Sequence, residues 1–202
     1  MATPKTVFCG GAMLATAALL AACGTAPTGP TRLGLGADPA QACAALTAPV
    51  AAAAIGLPSG AATIDSAALV PASALAVAER GPSPASRITP AMPAYCKVLG
   101  RIAPVDASAP PILFQVNLPL AWNGRSVQYG GGGFNGTLIT GLALVPAARF
   151  DLPTPLAQGY VTYGTDSGHQ NVQGQPPQAF ALNDEALVNF AHASYKKVRA
   201  WP

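Results

Sequence analysis

SVQYGGGGFNG, residues 126–136, runs from a short alternating segment into four adjacent glycines and then Phe134, Asn135 and Gly136. Glycine costs roughly 0.5–1 kcal/mol relative to alanine inside a regular element, because it loses more conformational freedom on folding than any other residue. Four in a row therefore belong to a linker, a phosphate cradle, or a loop whose backbone N–H groups face a ligand. Strand-like segments flank the run closely, and Phe134 and Asn135 are not linker residues. A Walker loop fails too, because no Gly-Lys-Ser/Thr follows.

Two ligand readings survive. Gly131, Gly133 and Gly136 satisfy G-x-G-x-x-G, and Asp166 falls at the end of the next strand, where a dinucleotide fold places its ribose carboxylate; NAD and a nucleotide-binding oxidoreductase would follow. The other reading is an oxyanion hole. In acyl transfer the carbonyl oxygen becomes negative in the transition state, and each backbone N–H aimed at it contributes roughly 2.7–4 kcal/mol. α/β-Hydrolases take one such N–H from a glycine-rich loop after their third strand.

Working outward, residues 96–102, 112–118 and 126–130 read as three short strands separated by breakers, so the glycines follow the third. Segments 138–144 and 153–158 are expected to be short helices, the second stopped by Gly159. YVTYG (160–164) is a strand ending at Thr165-Asp166. Asn183 suits an N-cap, with Leu182 and Leu187 at hydrophobic-staple positions. Leu187, Phe190, Ala191, Tyr195, Val198 and Trp201 then recur at helical spacing as a core face. Upstream, Asp38-Pro39 opens a helix carrying Cys43, and a strand is expected over 63–69. Alternating strands and helices indicate an α/β layer architecture with partly parallel pairing.

The chain has 202 residues, 50% hydrophobic and only 9% charged, which excludes general disorder. Residues 1–22 read as an export signal: Lys5 is the positive flank, 7–20 an apolar stretch, and Leu20-Ala21-Ala22-Cys23-Gly24 resembles a bacterial lipobox with Cys23 as the lipidated residue. An ordinary secretory signal cut near the same place is the alternative. Residues 23–37, rich in Pro, Gly and Thr, read as a flexible tether, and 38–202 as the folded portion. Export weighs against NAD, which has no ready supply outside the cytoplasm. Losing Lys5 leaves a formal charge of +2 in place of +3, too close to neutral for a nucleic-acid partner, and the membrane is met through the lipid anchor alone. The basic cluster Lys196, Lys197 and Arg199 is explained by the helix dipole. With Cys9 in the signal and Cys23 committed to lipid, Cys43 and Cys96 remain as one disulfide pair in an oxidising compartment. No histidine lies near either in sequence, so they make a poor zinc set.

Several motifs occur together and in order: Pro93-x-x-Cys96 with Val98 and Gly100; Leu118-Pro119-x-x-Trp122-Asn123-Gly124-Arg125; the glycine run through Phe134-Asn135-Gly136; Gly159-Tyr160; Thr165-Asp166-Ser167-Gly168-His169; and Ala181 through Leu187. This ordered set resembles the tannase and feruloyl esterase family of α/β-hydrolases, which includes esterases of the mono(2-hydroxyethyl) terephthalate hydrolase type. The resemblance covers residues 43–201. It implies the N-terminal part of an α/β-hydrolase fold, incomplete before the nucleophile strand, and a carboxylic ester hydrolase acting on small aromatic-acid esters by a serine acyl-enzyme route. It implies Gly133 as oxyanion donor, with Gly132, Phe134, Asp166 and His169 as substrate-loop candidates, and Cys43–Cys96 as the N-terminal disulfide. The family's nucleophile lies in a C-S-x-G-G turn, and its lid, often holding calcium, is inserted later. Neither C-S-x-G-G nor G-x-S-x-G occurs in these residues, so the nucleophile and triad are expected beyond Pro202 and this portion alone is expected to be inactive. Asp166, Ser167 and His169 are too close in sequence to form a triad of their own; Asp166 and His169 are expected to brace their loop. His192 is expected to be exposed. A non-catalytic periplasmic binding lipoprotein is the remaining alternative.

Overall fold

The computed structural model describes residues 31–32, 38–74, 77–79, 87–89, 91–144 and 152–200. In chain order the strands are β1 (Thr31–Arg32), β2 (Ala62–Val70), β3 (Val77–Glu79), β4 (Arg87–Thr89), β5 (Tyr95–Ile102), β6 (Ile112–Pro119), β7 (Ala121–Trp122), β8 (Ser126–Gln128) and β9 (Val161–Thr165). Five of them make the central sheet, ordered β2-β5-β6-β9-β8. The first three pairings are antiparallel and β8–β9 is parallel, so the sheet is mixed and the architecture is α/β, as the sequence indicates. β1 pairs with β7, which draws Thr31 and Arg32, inside the stretch read as a tether, onto the domain. The signal reading, Cys23 and Trp201 lie outside the described residues.

Alternation along the central strands decides what each face buries. Cys96, Val98 and Ile102 of β5 and Ile112, Phe114 and Val116 of β6 point to one side. There they meet Cys43 of α1 (Pro39–Ala44), Ile55 of α2 (Ala52–Ile55) and Val198 of α4 (Ser194–Arg199). Asp38 caps α1, its Oδ1 accepting from the amides of Ala40 and Gln41 at 3.0 and 3.1 Å. Cys43 and Cys96 form a disulfide that closes 53 residues, in agreement with the cysteine count. On β5 a Cβ at Gly100 would collide with the Phe114 ring, so the glycine makes room for a large core aromatic.

The opposite face is more polar. Gln115 and Asn117 of β6 are buried there. The Asn117 carboxamide donates to Thr140 O at 2.8 Å and Thr162 Oγ1 at 3.0 Å, and accepts from Gln115 Nε2 at 2.8 Å. These bonds serve an irregular segment lying across the sheet where the sequence suggested a helix. Residues 138–144 are not helical: Gly136 and Gly141, at φ +74° and +71°, break any turn, and Ile139 and Leu142 are buried from irregular backbone. The segment 153–158 is likewise one turn, with Gln158 N bonded to Thr154 O and Pro155 O at 3.0 Å and Gly159 at φ +86° ending it.

The final helix departs from its sequence pattern. α3 (Asp184–Val188) begins at Asn183, whose side chain accepts from Ala186 N at 2.9 Å, as expected of the cap. No staple forms, because Leu182 is 93% and Leu187 42% exposed. Between α3 and α4 the backbone makes a π turn, Asn189–Ala193, in which Ser194 N reaches Asn189 O five residues back. The extra residue rotates the helix face. Ala186, Asn189, Ala193, Ser194, Lys197 and Val198 are buried, whereas Leu187 and Ala191 are exposed. Lys197 is thus no solvated cation at a helix end. Its Nζ lies 2.9 Å from Asn189 Oδ1 and 3.6 Å from Glu185, and burial lowers its pKa against the pull of Glu185. His192 is exposed, as expected.

Candidate active site

β8 and β9 are parallel neighbours, so the loops leaving their C-terminal ends emerge side by side. Such ends are where open α/β sheets place ligands. The glycine run leaves β8 and the Asp166–Gln170 turn leaves β9. Glycine is needed in the run for two different reasons. At Gly131 a Cβ would strike the Asn135 carboxamide, whereas at Gly133 space is open but φ is +58°. Asn135 N donates to Gly132 O at 3.0 Å and closes the turn.

Asn135 and Ser167, at φ +44° and +68°, are non-glycine residues in the left-handed region, a conformation that costs on the order of 1–3 kcal/mol each. A polar chain holds both. Asn135 Nδ2 donates to Ser167 Oγ at 2.9 Å, Ser167 Oγ lies 3.2 Å from the Tyr195 hydroxyl, and that hydroxyl accepts from Gly131 N at 3.2 Å. Asn171 Nδ2 adds a bond to Asn135 O at 2.9 Å. Within this frame the amides of Gly132, Gly133 and Phe134 have no acceptor among the described residues.

Asp166 is 1% exposed and accepts from Leu113 N at 3.2 Å, Gly168 N at 2.9 Å and Gln170 Nε2. Burial pushes its pKa up to about 6 against those bonds. His169 is equally buried and stacks on Phe180. Its pKa is lowered by burial, with the Phe134 backbone opposing. Asp166 ties the β9 turn together through these bonds, whereas His169 is held by packing against Phe180. They do not form a triad with Ser167, whose hydroxyl is engaged with Asn135 and Tyr195.

A cleft of about 560 Å³ opens at this edge, lined by Gly132, Phe134, His169, Gln170, Phe180 and their neighbours. Four of the sequence candidates, Gly132, Phe134, Asp166 and His169, therefore cluster with Gly133 at one place, although Asp166 lies beneath the surface. The dinucleotide reading is overturned. The glycines lead into irregular chain rather than a helix N-terminus that could hold a pyrophosphate, and the Asp166 carboxylate is consumed by its own turn. Among the described residues no group of three or more His, Cys, Asp or Glu is placed to hold a metal ion. Sequence reasoning missed the structural role of Asn135, for which the Asn-Gly pair was a turn signal. It also missed the Tyr195 hydroxyl and the Phe180 wall, for which no local signal exists.

An open mixed sheet with a glycine loop and an aromatic-lined cleft at the ends of two parallel strands defines an α/β protein. The sequence model described as tannase and feruloyl esterase matches residues 96–201, and the chain belongs to that family. It is 51% identical over 104 residues to an uncharacterized esterase of Agrobacterium fabrum, covering 52% of this chain and 19% of that protein. It is 31% identical over 129 residues to mono(2-hydroxyethyl) terephthalate hydrolase of Piscinibacter sakaiensis, covering 60% and 21%. The chain thus spans about a fifth of the length of these curated relatives. A crystal structure of an esterase from Aspergillus oryzae, 23% identical, matches with a TM-score of 0.52 over 78% of this chain and 28% of that one, a likeness of fold alone.

Proposed function

We infer that these residues form the N-terminal portion of an exported carboxylic ester hydrolase, in which the Gly133 N–H is an oxyanion donor to a small aromatic-acid ester. The observation that carries this reading is the set of unbonded amides at Gly132, Gly133 and Phe134, held rigidly on the rim of an aromatic-walled cleft. Donors already in place need no reorganisation when the carbonyl oxygen becomes charged, which is what makes them catalytic. A phosphate would want a helix dipole or a cation as well, and the loop has neither.

The reading assigns a serine nucleophile, its His and Asp partners, and a calcium-holding lid to polypeptide beyond these residues, and it makes this portion inactive by itself. Attack by the serine forms an acyl-enzyme, which water releases. The Cys43–Cys96 disulfide suits an oxidising compartment, and lipidation at Cys23 would hold the enzyme at a membrane surface.

The test is a fluorophosphonate probe and a chromogenic aromatic ester applied to the intact polypeptide. One serine labelled per chain, with ester turnover abolished by the label, is the expected result. Turnover that survives complete labelling, or no turnover of any aromatic ester, would overturn it.

A further inference from the structure

Asp166 carries a charge that packing does not require. Its side chain is 1% exposed, and Oδ1 by itself accepts from Leu113 N at 3.2 Å, Gly168 N at 2.9 Å and Thr165 Oγ1 at 3.5 Å. An asparagine oxygen could take the same three donors without the cost of burying an anion. Only Oδ2 calls for an acid, and its partner is Gln170 Nε2.

Gln170 connects that buried oxygen to the cleft. It is half-buried and lines the cleft wall between His169 and Asn171. Both Nε2 hydrogens are spent, one on Asp166 Oδ2 and the other on Pro111 O at 3.0 Å. Oε1 has no partner among the described residues and is not sealed from solvent, so the polar atom left to the cleft is an acceptor.

Protonation of Asp166 reverses this. The proton belongs on Oδ2, since Oδ1 already accepts three bonds, and the group facing Oδ2 is a donor. The acceptor at hand is Oε1 of the same glutamine, brought round by a half-turn of its carboxamide. That half-turn takes Nε2 off both Asp166 and Pro111 and leaves it to the cleft, while water can serve the half-buried Pro111. Burial raises the Asp166 pKa to about 6, which sets the exchange in mild acid. No second charge drives it. β6 and β8 carry no titratable side chain. Tyr163 lies on β9, His169 stacks on Phe180, Tyr195 meets Ser167 Oγ, and Lys197 and Glu185 lie 3.6 Å from each other. Asp106, Asp184, His192, Lys196 and Arg199 are exposed. None of these groups shifts Asp166.

We propose that Asp166 and Gln170 form a proton-operated switch in the cleft wall: with Asp166 ionised, Gln170 presents its carbonyl to a bound ligand, and with Asp166 protonated it presents its NH2. The switch belongs to the fold and stands with or without ester turnover.

The test uses the intact polypeptide with 15N-labelled glutamine and 13C-labelled aspartate, titrated from about pH 8 to about pH 4.5. The Gln170 side-chain amide resonances are expected to move with the Asp166 carboxyl resonance, at a midpoint of about 6. In Asp166→Asn the Nδ2 group takes the place of the protonated oxygen, so Gln170 is expected to show the acid-form resonances throughout. Acetophenone, which only accepts hydrogen bonds and has no ester to cleave, is expected to bind about threefold or more tightly at about pH 5 than at about pH 7.5. Asp166→Asn is expected to bind it equally at both. Gln170 resonances that stay fixed while Asp166 titrates, or an Asp166 that stays ionised throughout, would overturn the proposal, and neither observation needs a variant to fold. Acetophenone affinity independent of pH in the unaltered protein would overturn it as well.

Discussion

The Tyr195 hydroxyl accepts a hydrogen bond from the Gly131 amide at 3.2 Å, joining the last helix to a loop 64 residues earlier in the chain. The same oxygen lies 3.2 Å from Ser167 Oγ, so one phenol spans the two loops that leave β8 and β9. Tyr195→Phe deletes both bonds and keeps the ring. Stability is expected to fall by about 1 kcal/mol, the net worth of an ordinary hydrogen bond. If the loop serves as an oxyanion hole, kcat falls more than KM rises, because misplaced donors weaken the transition state selectively. Thermal melts and steady-state kinetics on the intact polypeptide check both.

Gly133→Ala tests the loop directly. A Cβ there meets nothing within 4 Å, so the only penalty is the positive φ, roughly 1–2 kcal/mol for a non-glycine residue. A flip of the peptide that relieves this strain turns the N–H away. The expected result is a loss of about 10²–10³ in kcat with a melting temperature only a few degrees lower. Unchanged kcat would remove Gly133 from the catalytic role.

Acid–base behaviour separates Asp166 from His169. The folded pKa of Asp166, about 6, lies above its ordinary 3.8, so between those values the folded chain holds a proton that the unfolded chain has lost. Stability therefore decreases as pH rises through that window, by an amount on the order of 3 kcal/mol at most. Asp166→Asn is expected to abolish this slope. His169 acts in the opposite direction. Its folded pKa lies below the ordinary 6.5, so its contribution is lost as pH falls beneath 6.5, and His169→Phe removes that acid loss. Urea denaturation at several pH values gives both slopes.

Lys197→Met leaves Glu185 and Asn189 facing an apolar side chain. Glu185 keeps the amides of Val105 and Asp106, at 2.7–3.1 Å, as donors, so its charge is not left bare. The expected loss is about 1–3 kcal/mol, below the 3–5 kcal/mol typical of a fully broken buried pair. An equal Lys196→Met effect would show that burial is not the cause.

Reduction of Cys43–Cys96 releases a closed loop of 53 residues. The expected cost is about 2–4 kcal/mol, read as a shift of the denaturation midpoint on adding reductant. A Cys43→Ala/Cys96→Ala protein should lose a similar amount and no longer respond to reductant.

The strands were legible because alternation is a local code: Ile112, Phe114 and Val116 against Gln115 and Asn117 is readable without knowing the partner strands. The cap at Asn183, the Gly159 stop, the cysteine pair and the glycine loop are local in the same sense, each needing a particular residue type at a particular backbone position. Segment 138–144 misled because its apolar residues look helical in isolation, whereas Asn117 and Thr165, far away in sequence, offer its backbone the bonds that a helix would have supplied. The π turn at Asn189–Ala193 is invisible to a pattern that assumes 3.6 residues per turn, so Lys197 passed for a surface charge when it is buried. Sequence alone thus determined the strands of the central sheet, the disulfide and the place of the glycine loop. Only the tertiary structure decided which amides of that loop stay free. Hydrogen bonds are allotted by three-dimensional proximity, and the donors and acceptors competing for them, such as Gly131 and Tyr195, lie dozens of residues apart.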